Sequence, residues 1–279
     1  MRRQTEPAPK FRDRLIEPFV SAYRHRELIR VIVWRELAQR FRGSAIGWIW
    51  ACATPLVMLS AYTIIFSGPV KISSTPDQAG VAVYAISIFA ALIIFNLFTE
   101  LANRAPTLLH ENAWFIKKTI FPSDVLAWIA LIRALVYASI SFALLVVFNL
   151  ILSGQIQVTL LLVPVMLVPF CLFLLGVTWL LSALGALTRD VFHLVASLIP
   201  ILIFASPVFY SIQELPAVTR PYAYINPLAG FIEMMRDLVL RGAIPDPLVF
   251  FSSTAISLLF FWWGYAVYRR YRSIIVDVI

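Results

Sequence analysis

Uncharged stretches divide the sequence. Residues 43–70, 78–99, 191–213 and 247–268 contain no Asp, Glu, Lys or Arg. Each matches the roughly 20 mainly apolar residues a helix needs to cross a bilayer. Residues 134–188 give 55 uncharged positions in a row, too many for one crossing. Ser153-Gly154-Gln155-Ile156-Gln157 breaks that run with turn formers and glutamines. The pattern predicts an all-α polytopic membrane protein with six transmembrane helices, at about 44–68, 80–103, 123–152, 157–187, 191–211 and 247–268. An even number of spans places both termini on one side.

Basic residues choose that side, because cytoplasmic segments carry the excess of Lys and Arg. With both termini inside, 18 Lys/Arg fall on the inner side and 4 on the outer, with Arg133 inside the third span. Eleven of the inner ones lie in residues 1–43, a stretch with no apolar core ahead of a small-residue cleavage site. No cleavable signal is therefore expected.

Three segments are not simple spans. Residues 1–23 read as a basic tail, and residues 24–43 as an amphipathic helix on the inner interface. There Val31, Trp34, Leu37, Ala38 and Phe41 recur at helical spacing and the arginines face lipid phosphates. Gly43 and Gly47 at its end form a GxxxG that suits close packing or a hinge. Residues 104–122 form an inner loop with more apolar side chains (Leu108, Leu109, Trp114, Phe115, Ile116) than a solvated loop needs, which suggests a short docking helix. Residues 212–246 form the longest outer segment. Asn226-Pro227 is a helix start, with Asn as N-cap and Pro in the first turn. Leu228–Arg241 spans only about 21 Å of helix and carries charge, so a re-entrant or surface hairpin is expected. Glu233 and Arg236 stand at i,i+3, a pair contributing about 0.3–0.5 kcal/mol if exposed. The tail after the last span covers residues 270–279.

Composition narrows the classes. At 61% apolar and 14% charged, the chain is neither disordered nor an ordinary soluble enzyme. Cys52 and Cys171 lie in apolar runs and read as small hydrophobes. No P-loop, H-E-x-x-H, G-x-S-x-G or Asp-rich metal motif occurs, so no nucleotide, metal or cofactor is expected on this chain. Nucleic acid is not an expected partner. Arg133 is the one clear ionisable residue within a span, with Glu100 and Asp124 near span ends.

Several stretches, in order, resemble the permeases of polysaccharide ABC exporters. Trp34-Arg35-Glu36, Arg40-Phe41-Arg42-Gly43-Ser44, Ile46-Gly47, Trp50 and Pro55-Leu56 resemble the approach to their first span. Glu111-Asn112, Ile116-Lys117-Lys118 and Phe121-Pro122 resemble their loop after span two. Ser206-Pro207-Val208-Phe209-Tyr210, Asn226-Pro227-Leu228 and Arg236-Asp237 resemble their outer segment. The nearest group exports O-antigen, teichoic acid and related surface glycans, and the likeness runs from about residue 24 onward.

The resemblance implies a type-2 ABC exporter subunit in a bacterial inner membrane, surrounded by membrane lipid. A second copy of the chain and two ATP-binding cassette subunits, which carry ATP and Mg, complete the machine. Its substrate is a polysaccharide on a polyprenyl pyrophosphate carrier. Arg40 and Arg42 would admit the pyrophosphate. Trp48, Tyr62, Phe66, Phe209 and Tyr210 would line the glycan channel. Leu109, Glu111, Phe115, Lys117 and Lys118 would couple to the ATPase. Asn226, Pro227, Glu233, Arg236 and Asp237 would form the outer gate. The alternatives are a type-2 permease for drugs or lipids, and a membrane-embedded enzyme of glycan-lipid synthesis.

Overall fold

The computed structural model describes residues 11–40, 49–67, 78–118, 122–154, 157–216 and 218–278, and the regular structure among them is helical throughout. It opens with α1 (Phe11–Arg24) and α2 (Arg26–Arg40), so helix begins well inside the stretch expected to be a basic tail. The two meet at His25, whose Nδ1 lies 2.9 Å from the Ser21 carbonyl oxygen. On α1, Phe19 stacks on Phe261 at 5.2 Å and meets Trp128 edge-on at 5.9 Å. On α2, Ile29, Ile32, Val33 and Leu37 face the core, while Val31 and Trp34 are exposed. The apolar stripe expected on this helix thus divides between two faces, because its isoleucines supply the buried one.

The bundle follows: α3 (Ile49–Ser67), α4 (Gln78–Arg104), a 3₁₀ turn (Ala105–Thr107), α5 (Leu108–Glu111), α6 (Ala113–Lys118) and α7 (Val125–Ser153). Then come α8 (Val163–Leu187), α9 (Asp190–Ala205), α10 (Arg220–Ala223), α11 (Pro227–Arg236) and α12 (Pro247–Val278). Gly154 closes α7 in the left-handed region at φ 68°, where a side chain would be strained, and so breaks the long uncharged run.

Among the described residues, four helical stretches are long and apolar enough to cross a membrane: Val83–Glu111, Val125–Ile151, Val158–Leu187 and Pro247–Arg272. These stretches fall at four of the six expected spans, and the first and fifth positions carry shorter apolar helices among the described residues, Ile49–Met58 and Asp190–Ala205. The fifth ends six residues before its expected limit. Pro207 disfavours helix at the preceding residue, and Ser206 is extended at φ −96°, ψ 148°. α9 has 16 residues, or about 24 Å, short of a core about 30 Å thick.

α4 is the axis of the bundle. Residues 88–95 are all buried, as a helix that is apolar all round requires. It packs against α3, α7, α8, α9 and α11. α8 and α12 touch backbone to backbone, since a Cβ on Gly264 would stand 2.0 Å from the Gly176 carbonyl oxygen. Without a solvent-driven force between spans, close approach of this kind holds membrane helices together. Arg269 of α12 pairs with Glu17 of α1, so the described start and end of the chain share one end of the bundle. Residues 206–216 and 218–246 gather at the opposite end, where Tyr84 near the start of α4 donates to the Phe209 carbonyl.

Candidate functional site

Charged side chains gather at both ends of the bundle. At the α2 end, Glu36 of α2 reaches the tips of α4 and α7. Its Oε2 accepts from Arg104 Nη1 at 2.8 Å and from Arg133 Nη1 at 3.3 Å. Arg133 Nη2 lies 3.3 Å from Glu100 Oε1. The in-span arginine thus finds Glu100 and Glu36, whereas Asp124 serves elsewhere, its carbonyl accepting from Trp179 Nε1 at 3.1 Å. Arg104 Nε lies 3.5 Å from Glu111 of α5, and Glu111 also accepts from Thr107 Oγ1 at 2.7 Å. The Arg35 guanidinium sits over the Phe115 ring, 5.6 Å from its centroid. A cleft of about 580 Å³ opens between α2 and residues 104–118, lined by Arg35, Glu36, Arg104, Glu111, Phe115 and Arg133.

Of the residues expected to couple to an ATPase, Leu109 faces the core at 1% exposure beside Leu108. Glu111 and Lys117 are exposed, as is Trp114, and Phe115 is half-buried. The outward surface of this segment is therefore His110, Glu111, Trp114 and Lys117. The Lys118 side chain lies outside the described residues.

The α11 end is a buried network. Asn226 caps α11, its Oδ1 accepting from the Leu228 N–H at 3.0 Å while its Nδ2 donates to Ser206 Oγ at 2.8 Å. Pro227 occupies the first turn, and residues 228–236 are all buried. Glu233 and Arg236 pair at 2.9 Å with side chains only 7% and 2% exposed. The expected exposed pair is thus a buried one, because α11 lies against α4, α8 and α12 instead of on an outer surface. Arg236 also donates to the carbonyls of Val208 (2.7 Å), Tyr210 (2.9 Å) and Ser87 (3.4 Å). Glu233 Oε1 accepts from the Ile212 N–H at 3.0 Å, and Oε2 accepts from Arg241 at 3.2 Å. Burial pulls the Arg236 guanidinium below its ordinary value, against the opposing pull of Glu233. Burial likewise pushes the Asp237 carboxyl up, and its bond from Arg241 draws it back.

The single helix expected to Arg241 ends at Arg236 and widens into a π turn over Asp237–Arg241. Thr159 Oγ1 and Asn149 Nδ2 donate to the Leu238 and Val239 carbonyls, at 2.6 and 3.2 Å. Three separated motifs therefore meet here: 206–210, Asn226-Pro227 and Arg236-Asp237.

Of the expected channel aromatics, Phe209 and Tyr210 lie half-buried in the turn after α9. The Phe209 carbonyl accepts from Tyr84 OH at 2.6 Å, and its ring lies 5.8 Å from that of Phe204. Burial raises the Tyr210 hydroxyl above its ordinary value. Arg42 and Trp48 fall outside the described residues, as do the side chains of Arg40, Tyr62 and Phe66. Among the described residues no group of three or more His, Cys, Asp or Glu is placed to hold a metal ion. Sequence reasoning missed Glu36 and Arg104 as site residues. Their signal was Arg133 itself, since an arginine within a span needs acidic partners.

The profile of the ABC-2 type transporter family matches residues 27–240, which include both charged clusters apart from Arg241. The chain belongs to the ABC-2 type transporter family. It is 23% identical to an O-antigen export system permease protein RfbA of Myxococcus xanthus over 254 residues, covering 90% of this chain and 95% of that one. A Klebsiella pneumoniae protein of the same name is 24% identical over 219 residues, 78% of this chain and 82% of the relative. The polysialic acid transport protein KpsM of Escherichia coli is 23% identical over 244 residues, 86% and 92% of the two chains. With its apolar helices, this ABC-2 chain is a multi-pass membrane protein.

Proposed function

We propose that the chain is the channel-forming permease of an ATP-driven exporter that carries a lipid-linked surface polysaccharide out of the cytoplasm. The observation that carries this reading is the near full-length likeness to O-antigen and polysialic acid permeases. Two copies form the channel in the inner membrane, and two ATPase subunits, binding ATP and Mg, dock on the end that holds α2, α5 and α6. That end faces the cytoplasm, with both termini. Trp114, Glu111, Phe115, Lys117 and Lys118 meet the ATPase. Arg40 and Arg42 receive the carrier's pyrophosphate, and Trp48, Tyr62, Phe66, Phe209 and Tyr210 provide faces for sugar stacking.

In the resting state residues 206–246 of the two copies close the channel outward. Wedging of α11 among α4, α8 and α12 favours a gate that opens as whole bundles separate, rather than by a hairpin swinging free. The reading is tested by deleting the chain in its native host. Loss of surface glycan with finished, carrier-linked polymer accumulating inside is expected. Loss of glycan without any accumulated polymer would indicate a role in synthesis, and unchanged surface glycan would indicate another cargo.

A further inference from the structure

Arg104 stands between two carboxylates on two different elements. Its Nη1 is 2.8 Å from Glu36 on α2, and its Nε is 3.5 Å from Glu111 on α5. Glu36 holds a second guanidinium, Arg133, on the same oxygen, and Arg133 holds Glu100 as well. If Arg104 shifts fully to Glu111, Glu36 keeps Arg133 and no charge loses its partner. The shift also has room, because the cleft of about 580 Å³ lies among these side chains. Two discrete arrangements are what a switching element requires.

We propose that Arg104 is a positioning residue that exchanges between Glu36 and Glu111, so that displacement of α5 and α6 releases α2 from the tip of α4 while Arg133 keeps it hinged on α7. This rests on the exporter reading above and assigns the path by which an event at the docking segment reaches the helix preceding α3. In the arrangement seen, Glu36 holds Arg104 more closely and α2 is fastened. Pulling the segment outward strengthens the Glu111 contact and unfastens it. The exchange transfers no proton and forms no covalent bond.

The test uses the full permease–ATPase complex exporting its own polymer. Glu111→Gln leaves α2 fastened, so in complexes that retain the ATPase the polymer exported per ATP falls about fivefold or more, the range of a typical coupling effect. Glu111→Asp restores it. Arg104→Lys keeps the charge but not the two-sided fork, and falls in between. Wild-type yield per ATP in Glu111→Gln, or equal loss in Glu111→Gln and Glu111→Asp, would overturn the exchange.

A second measurement is independent of charge. Gln39→Cys and Asn112→Cys, on opposite walls of the cleft and with Cys52 and Cys171 replaced by alanine, are bridged by a reducible bifunctional reagent. Export should stop and return on reduction, while continued export with the bridge in place would overturn the proposal. If the unmodified chain neither binds an ATPase nor exports glycan, the exporter reading itself fails. If it exports and these variants match it, only the exchange fails.

Discussion

At the α11 end, Arg236 is 2% exposed and donates to three backbone carbonyls as well as to Glu233. At the α2 end, Arg104 and Arg133 are 19% and 15% exposed, bind carboxylates and border an open cleft. Both clusters use arginine and glutamate, yet their surroundings give them opposite mechanical character. A buried guanidinium fixed to three carbonyls of two segments has no second arrangement, since leaving would strand charge and carbonyls in a dry interior. A guanidinium that borders an open cleft between two acids can pass from one to the other without losing a charged partner. The first arrangement suits a fixed joint and the second a moving one.

The largest break should come from Arg236→Met. It leaves Glu233 with only the Ile212 N–H and Arg241 and strands the Val208 and Tyr210 carbonyls, at a cost of about 3–5 kcal/mol. Thermal unfolding in detergent should show a marked loss of stability, and replacing Glu233 by leucine in the same chain should recover part of it. Glu36→Gln should be milder for folding, about 1–2 kcal/mol, because the amide oxygen still accepts from the arginines and Arg133 keeps Glu100. It should nevertheless impair export strongly, measured as surface glycan per unit of permease. Asn226→Ala removes one cap and one bond to Ser206, at a cost of about 1 kcal/mol read by the same melting assay. A Glu36→Gln protein as unstable as Arg236→Met would erase the distinction between the two ends.

The helical class and most long helices were legible because charge-free runs of suitable length admit few other structures. The break at Gly154 was legible as turn chemistry, and Asn226-Pro227 as a cap. The end of α9 at Ala205 depended on one proline, Pro207, inside a run whose hydropathy continues past it. Arg236 was misjudged as exposed because spacing along one helix cannot reveal what packs around it. Leu109 looked like a docking residue for the same reason, since apolar surface in a loop faces either a partner or the chain's own core. The α2 cluster joins residues from three helices, and only the convergence of those helices brings Glu36, Glu100, Arg104 and Arg133 together.

The central claim is that one end of the bundle moves internally while the other holds. The most direct measurement is a spin-label distance across each cluster in the ATPase-bound permease, with and without ATP. Val31 and Trp114, both exposed, report across the α2 end; Val83 and Ile225, also exposed, report across the α11 end within one copy. The account expects ATP to shift the Val31–Trp114 distance and leave the Val83–Ile225 distance unchanged. A fixed Val31–Trp114 distance with a shifting Val83–Ile225 distance would contradict it.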